Sequence, residues 1–177
     1  PLRLSGAPSL DGAALDRLWR LVSPNKALGL TGVRGAYAIA PLAARQAMAE
    51  LEALAPSWPL GAHAEAMLMA WTAPDTQRWL GDGLDTLREW KAAQAALCES
   101  LGWTVLPSEA NYFVARLSEA SDIESLPGLR RDHGVKLRDA ASFGLPGQVR
   151  LGVRSPEDQA ALRAAWPRAR GGDNSAR

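Results

Sequence analysis

The chain has 177 residues, of which 47% are apolar and 22% charged, enough to bury a real core and too apolar for a mostly disordered polymer. Its 20 basic and 19 acidic residues leave a net charge of +1, a balance that argues against a nucleic-acid partner, which needs a basic stripe. A single cysteine, Cys98, allows no disulfide within the chain, and His63 and His133 lie too far apart for ordinary zinc spacing, so no metal is expected.

Taken in order, residues 1–10 read as loop, with Gly6, Pro8 and Ser9. The run from Leu18 to Val22 reads as a buried strand entering Ser23. Ser23-Pro24 sets an N-cap residue before a proline at the first helical position. Gly29, Gly32 and Gly35 then deny the next stretch a long helix. Tyr37 to Ala40 suits a second buried strand, stopped by Pro41. Leu42 to Ala55 is helical in pattern, with Met48, Leu51 and Leu54 three apart, until Pro56 and Pro59 break it. His63 to Trp71 predicts another helix. Pro74-Asp75 opens a long one reaching about Leu101, with Trp79, Leu84, Leu87, Trp90, Ala93 and Leu97 on one core-packing face and Gly102 as its stop.

The pattern then changes. Trp103 to Leu106 and Tyr112 to Leu117 read as strands around a turn containing Pro107. A helix is expected from about Leu126 to His133, a strand from Val135 to Leu137, and a strand from Val149 to Val153 after a Gly/Pro loop. Pro156 starts a last helix with Asp158 where the dipole favours it, and beyond Trp166 the polar tail is expected to fray. Two domains result. Residues 1–73 form a helix-heavy α/β piece with too few strands to close a sheet, and residues 74–177 form an α+β unit opening on the long helix.

The chemistry concentrates in Ser23-Pro24-Asn25-Lys26-Ala27-Leu28-Gly29-Leu30-Thr31-Gly32-Val33-Arg34-Gly35-Ala36-Tyr37. A lysine follows a strand in an apolar, glycine-rich setting. Burial there would favour a neutral amine, and a neutral amine can form a Schiff base with an aldehyde. The Ser23 hydroxyl and the Arg34 guanidinium are suited to a phosphate. Ser23-x-x-Lys26 also fits the serine-lysine pairing of penicillin-binding proteins, but that class needs a later S-x-N and K-T-G; Ser108-x-x-Asn111 has the wrong spacing and no K-T-G occurs.

The lysine segment, read as S-x-x-K-x-x-G-L-x-G-x-R-x-x-Y, resembles the cofactor-lysine motif of fold-type I pyridoxal-phosphate enzymes, the class I/II aminotransferases. Pro107-Ser108-Glu109-Ala110-Asn111-Tyr112-Phe113 resembles that family's P-S-x-A-N-F/Y strand. Val135-Lys136-Leu137-Arg138-Asp139, Phe143-Gly144-Leu145-Pro146, Val149-Arg150-Leu151-Gly152 and Pro156-Glu157-Asp158 are similar to the ending of the histidinol-phosphate aminotransferase group. The matches come in order and cover residues 18 to about 166.

The resemblance implies a fold: a partial large domain, residues 1–73, joined to a small C-terminal domain, residues 74–177. It implies that Lys26 forms the Schiff base with pyridoxal 5'-phosphate and moves the proton between the substrate α-carbon and the cofactor. Ser23, Arg34 and Asn25 would bind the cofactor phosphate, Asn25 standing where the family often has a second serine. Arg150 would pair with the substrate α-carboxylate rather than with Asp139 or Glu157. Arg138 would serve either the substrate side-chain pocket or a structural ion pair. The reaction implied is amino transfer between an amino acid or amino phosphate and a 2-oxo acid, in a cytoplasmic homodimer with neither membrane nor nucleic acid as partner. The alternatives are the threonine-phosphate decarboxylase of cobalamin synthesis and a catalytically inactive fragment or binding module. The ring-binding aspartate and aromatic residues of the family have no counterpart before Ser23, and the chain opens on Pro1, so it is expected to start just after them.

Overall fold

A computed structural model describes Leu4, Leu10 and residues 12–171. The loop expected over 1–10 and the tail beyond 171 therefore lie almost wholly outside the described residues. The chain divides into two compact units, residues 7–83 and residues 1–6 with 84–177.

The 7–83 unit opens with a short helix, α1 (Gly12–Leu15). Strands β1 (Arg20–Val22) and β2 (Tyr37–Ile39) then pair antiparallel, Leu21 opposite Ala38. The strands expected here are found, but not the burial. Leu21 is 83% exposed, because a two-stranded ribbon has two faces and nothing among the described residues covers Leu21. Helices α2 (Arg45–Leu54) and α3 (Ala62–Trp71) follow. The loop before β2 lies against α3. A Cβ on Gly35 would come within 2.9 Å of the Ala64 Cβ, so only glycine fits this approach. Trp71 Nε1 donates to the Tyr37 hydroxyl at 3.1 Å and ties β2 to α3.

Helix α4 (Pro74–Ser100) is as long as its apolar pattern predicts and stops at Gly102, whose φ is +82°. Its face is less buried than expected. Leu97 and Cys98 are fully inside, whereas Trp79 is 58% exposed and does not serve core packing.

In the unit formed mainly by residues 84–177, strands β3 (Thr104–Val105), β4 (Tyr112–Arg116), β5 (Arg138–Asp139) and β6 (Gln148–Gly152) form an antiparallel sheet ordered β3-β4-β6-β5. Alternation puts Phe113, Ala115, Val149 and Leu151 on one face, where they meet Leu97, Cys98, Trp103, Leu129, Leu162 and Trp166. Trp103 and Trp166 pack edge to face, centroids 4.8 Å apart. Helix α5 (Leu126–His133) has its expected bounds.

Two expectations are corrected. The strand predicted over Val135–Leu137 lies at Arg138–Asp139 instead. Gly134, at φ +69°, ends α5, and the Val135 amide still bonds back to the Leu129 carbonyl at 3.3 Å, so the chain reaches β6 only at Arg138. The last helix, α6 (Pro156–Arg170), does not fray after Trp166. Its final turn is held by Arg170 Nε on the buried Asp122 carboxylate, 2.7 Å away. Among the described residues no helix is long and apolar enough to cross a membrane.

Candidate active site

In the 7–83 unit, β1 delivers the chain to Ser23, and Pro24 opens a 3-10 turn over Pro24–Lys26. Ser23 has the extended backbone of an N-cap residue, yet its side chain caps nothing. Its Oγ donates to Asn25 Oδ1 at 3.0 Å instead. Asn25 is buried, at 7% exposure. Its Nδ2 donates to the Val33 carbonyl at 3.2 Å, and its own carbonyl accepts from the Leu30 amide at 2.7 Å. Asn25 thus braces the glycine-rich loop across its width, a role that sequence spacing did not reveal.

Because Asn25 and Pro24 take the inward positions of this turn, Lys26 points outward. Lys26 is exposed, and so is Arg34. The burial expected for the lysine is not present. Neither its amine nor the Arg34 guanidinium has a hydrogen-bond or ion-pair partner among the described residues.

In the other unit, the sheet register gathers the remaining candidates. Arg138 on β5 stands directly opposite Arg150 on β6, and Val114 on β4 stands opposite Arg150 on its other side. Directly opposed residues share a face, here the one turned away from the core. Like charges in that position repel, and no ion pair relieves them among the described residues. Asp139 spends its Oδ1 on the Ala141 amide at 2.8 Å. Each guanidinium rests on a ring instead, Arg150 over Tyr112 at 4.1 Å and Arg138 over Phe143 at 4.7 Å. Such stacking holds a planar cation while leaving its N–H edge free. The rings of Tyr112 and Phe143 were not foreseen as partners, since which side chains meet across strands depends on register.

Arg150 lines a cleft of about 540 Å³ with Gln94, His133, Lys136 and Arg154. The carboxylate that lines it, Asp158, is engaged by Arg154 at 2.8 Å. The cleft therefore keeps an excess of positive charge.

The family model of the class I and II aminotransferases matches residues 14–165. The histidinol-phosphate aminotransferase of Halorubrum lacusprofundi is 30% identical over 133 residues, covering 75% of this chain and 34% of that protein. This chain thus spans about a third of the relative's length. The crystal structure of the histidinol-phosphate aminotransferase from Clostridium acetobutylicum superposes with a TM-score of 0.72 at 18% identity, over 90% of this chain and 49% of that one. The Sinorhizobium meliloti enzyme of the same name, solved in complex with pyridoxal-5'-phosphate, gives a TM-score of 0.68 at 21% identity, over 85% and 40%. The fold is thus that of the pyridoxal-phosphate-dependent fold-type I enzymes, present here in part. Because that family model spans most of the chain, the chain belongs to the class I and II aminotransferase family.

Proposed function

We propose that residues 1–73 are the lysine-bearing end of a pyridoxal-phosphate-binding large domain and that residues 74–177 are its small domain. The whole protein would move an amino group between an amino acid or amino phosphate, of the histidinol-phosphate kind, and a 2-oxo acid. The observation that carries this is the exposed Lys26 amine, eight residues before an exposed Arg34, neither with a hydrogen-bond or ion-pair partner among the described residues, in a chain of this family.

The donor set fits the cofactor. A primary amine suits its aldehyde, and a guanidinium suits its phosphate. Ser23 is less ready, because its hydroxyl proton is committed to Asn25. Asn25 is committed on both amide atoms and supports the loop in the first place. Pyridoxal phosphate, when bound, supplies an electron sink for the substrate α-carbon. Lys26 holds the cofactor and carries the proton to and from that α-carbon. Arg150 orients the α-carboxylate with the edge that Tyr112 leaves free. Arg138, its cross-strand neighbour, gives the site a second cation for a substrate phosphate. A homodimer in the cytoplasm is part of the same reading.

The test is a spectrum. The chain mixed with pyridoxal phosphate is expected to show the visible band of a protonated Schiff base, and Lys26→Ala is expected to lose it. A band unchanged in Lys26→Ala would remove the lysine from the site. Analysis of products from the whole protein separates transfer from decarboxylation, since only the latter releases carbon dioxide.

A further inference from the structure

The strands that carry Tyr112 and Arg150 are gripped by one helix. Arg88, Lys91 and Gln94 stand three residues apart on α4, a spacing that keeps them on one side, and each bonds to the backbone of another segment. Arg88 Nε donates to the Leu4 carbonyl at 2.5 Å. Lys91 Nζ donates to the carbonyls of Ser108 and Ala110, the second at 2.9 Å. Gln94 is buried, at 3% exposure. Its Nε2 donates to the Gly152 carbonyl at 3.0 Å, and its Oε1 accepts from the Arg154 amide at 2.8 Å.

Lys91 has the more telling geometry. Two carbonyl dipoles converging on one point repel unless a cation lies between them, so the 108–110 turn depends on this ammonium. Within the turn, Ser108 Oγ donates to the Tyr112 carbonyl at 2.5 Å and accepts from the Ala110 amide at 3.2 Å. The turn therefore holds the backbone where β4 begins, at Tyr112, and the ring of that residue carries the Arg150 guanidinium. Desolvation lowers the Lys91 pKa from its ordinary value, with the Glu109 carboxylate opposing. The fold keeps a cation here against that cost.

We propose that Lys91 is a positioning residue for Arg150, acting through the 108–110 turn and the Tyr112 ring, while Gln94 pins the same strand pair at the exit of β6. The proposal rests on the reading of Arg150 as the carboxylate-binding group. A guanidinium free to swing meets a carboxylate in many poses, whereas a stacked one presents a fixed edge.

The experiment uses the 177-residue chain, the Arg150 Nε–Hε NMR resonance, which reports its position over the Tyr112 ring, and a titration with acetate. Lys91→Met is expected to shift that resonance and to weaken acetate binding by about 3- to 10-fold. Lys91→Arg is expected to restore both, because a guanidinium can bridge the same two carbonyls. Ser108→Ala is expected to shift the resonance in the same direction, and it decides the matter if Lys91→Met does not fold. An Arg150 resonance unmoved in the folded variants would overturn the proposal, as would a shift that Lys91→Arg leaves in place. Acetate binding that persists in Arg150→Met would instead overturn the carboxylate reading, and the resonance would still test the role of Lys91.

Discussion

Asn25 and Cys98 show how differently buried groups can serve one chain. Asn25 satisfies both ends of its amide within the loop that presents Lys26. Truncation to alanine would remove both hydrogen bonds that tie the half-buried Val33 carbonyl and the Ser23 hydroxyl to this side chain, so Asn25→Ala is expected to cost about 1 kcal/mol. A denaturant titration measures this, with the Lys26 Schiff-base band weakening alongside. Cys98 is sealed in the core, and burial, with Glu99 adding to it, pushes its thiol up to about 12. The folded thiol stays protonated while an unfolded one ionises near the ordinary value, so its stabilising contribution is complete below that value and is lost as pH rises toward 12. Maleimide labelling at pH about 8 is expected to fail on the folded chain and succeed after denaturation. Lys26, Ser23, Arg34, Arg138 and Arg150 stand out in the sequence as candidates, through residue type, spacing and the family resemblance, whereas the exposure of Lys26 does not. Asn25 was read for a phosphate contact and Tyr112 only as part of a motif. Their partners depend on loop closure and strand register, neither of which a linear pattern records.

Elements were legible where a local rule governs them. Helix α5 has its expected bounds because Pro127 fits its first turn and Gly134 fits the left-handed stop. Gly134→Ala would hold a Cβ at φ +69° and is expected to cost about 1 kcal/mol, seen as a lowered midpoint with an unchanged slope. Strand β5 was misplaced because the apolar Val135 and Leu137 pack against the core without pairing. The end of α6 was missed because its support is distant in sequence. Arg170 reaches Asp122, whose other oxygen accepts from the Glu119 amide at 3.1 Å. Arg170→Ala leaves a buried carboxylate half-supported and is expected to cost about 1–2 kcal/mol. Hydrogen exchange should then rise in the last turn of α6 and over residues 119–122 before anywhere else.

Across the whole molecule the two units differ in what they enclose. Most of the large buried side chains belong to the 84–177 unit. Most of the large exposed ones, including Leu21, Leu42, Leu54, Trp58 and Met69, belong to residues 7–83. Amide protection is therefore expected to be strong in β4 and β6 and weak in β1 and β2, since local opening is easiest where little apolar area is buried. Equal protection in both sheets would contradict this. The family could be read at this scale because its motifs recur in order along the chain; the exposure of residues 7–83 could not, because an apolar pattern does not say what covers it. The central claim is that Lys26 is the amine that takes the cofactor. The chain has three lysines, Lys26, Lys91 and Lys136, and Lys91 is already committed to two carbonyls. Reduction of the pyridoxal-phosphate-treated chain with borohydride, followed by peptide mass mapping, reads the outcome directly. The account predicts a pyridoxyl label concentrated on Lys26. A label spread evenly over the three lysines, or concentrated on Lys136, would contradict it.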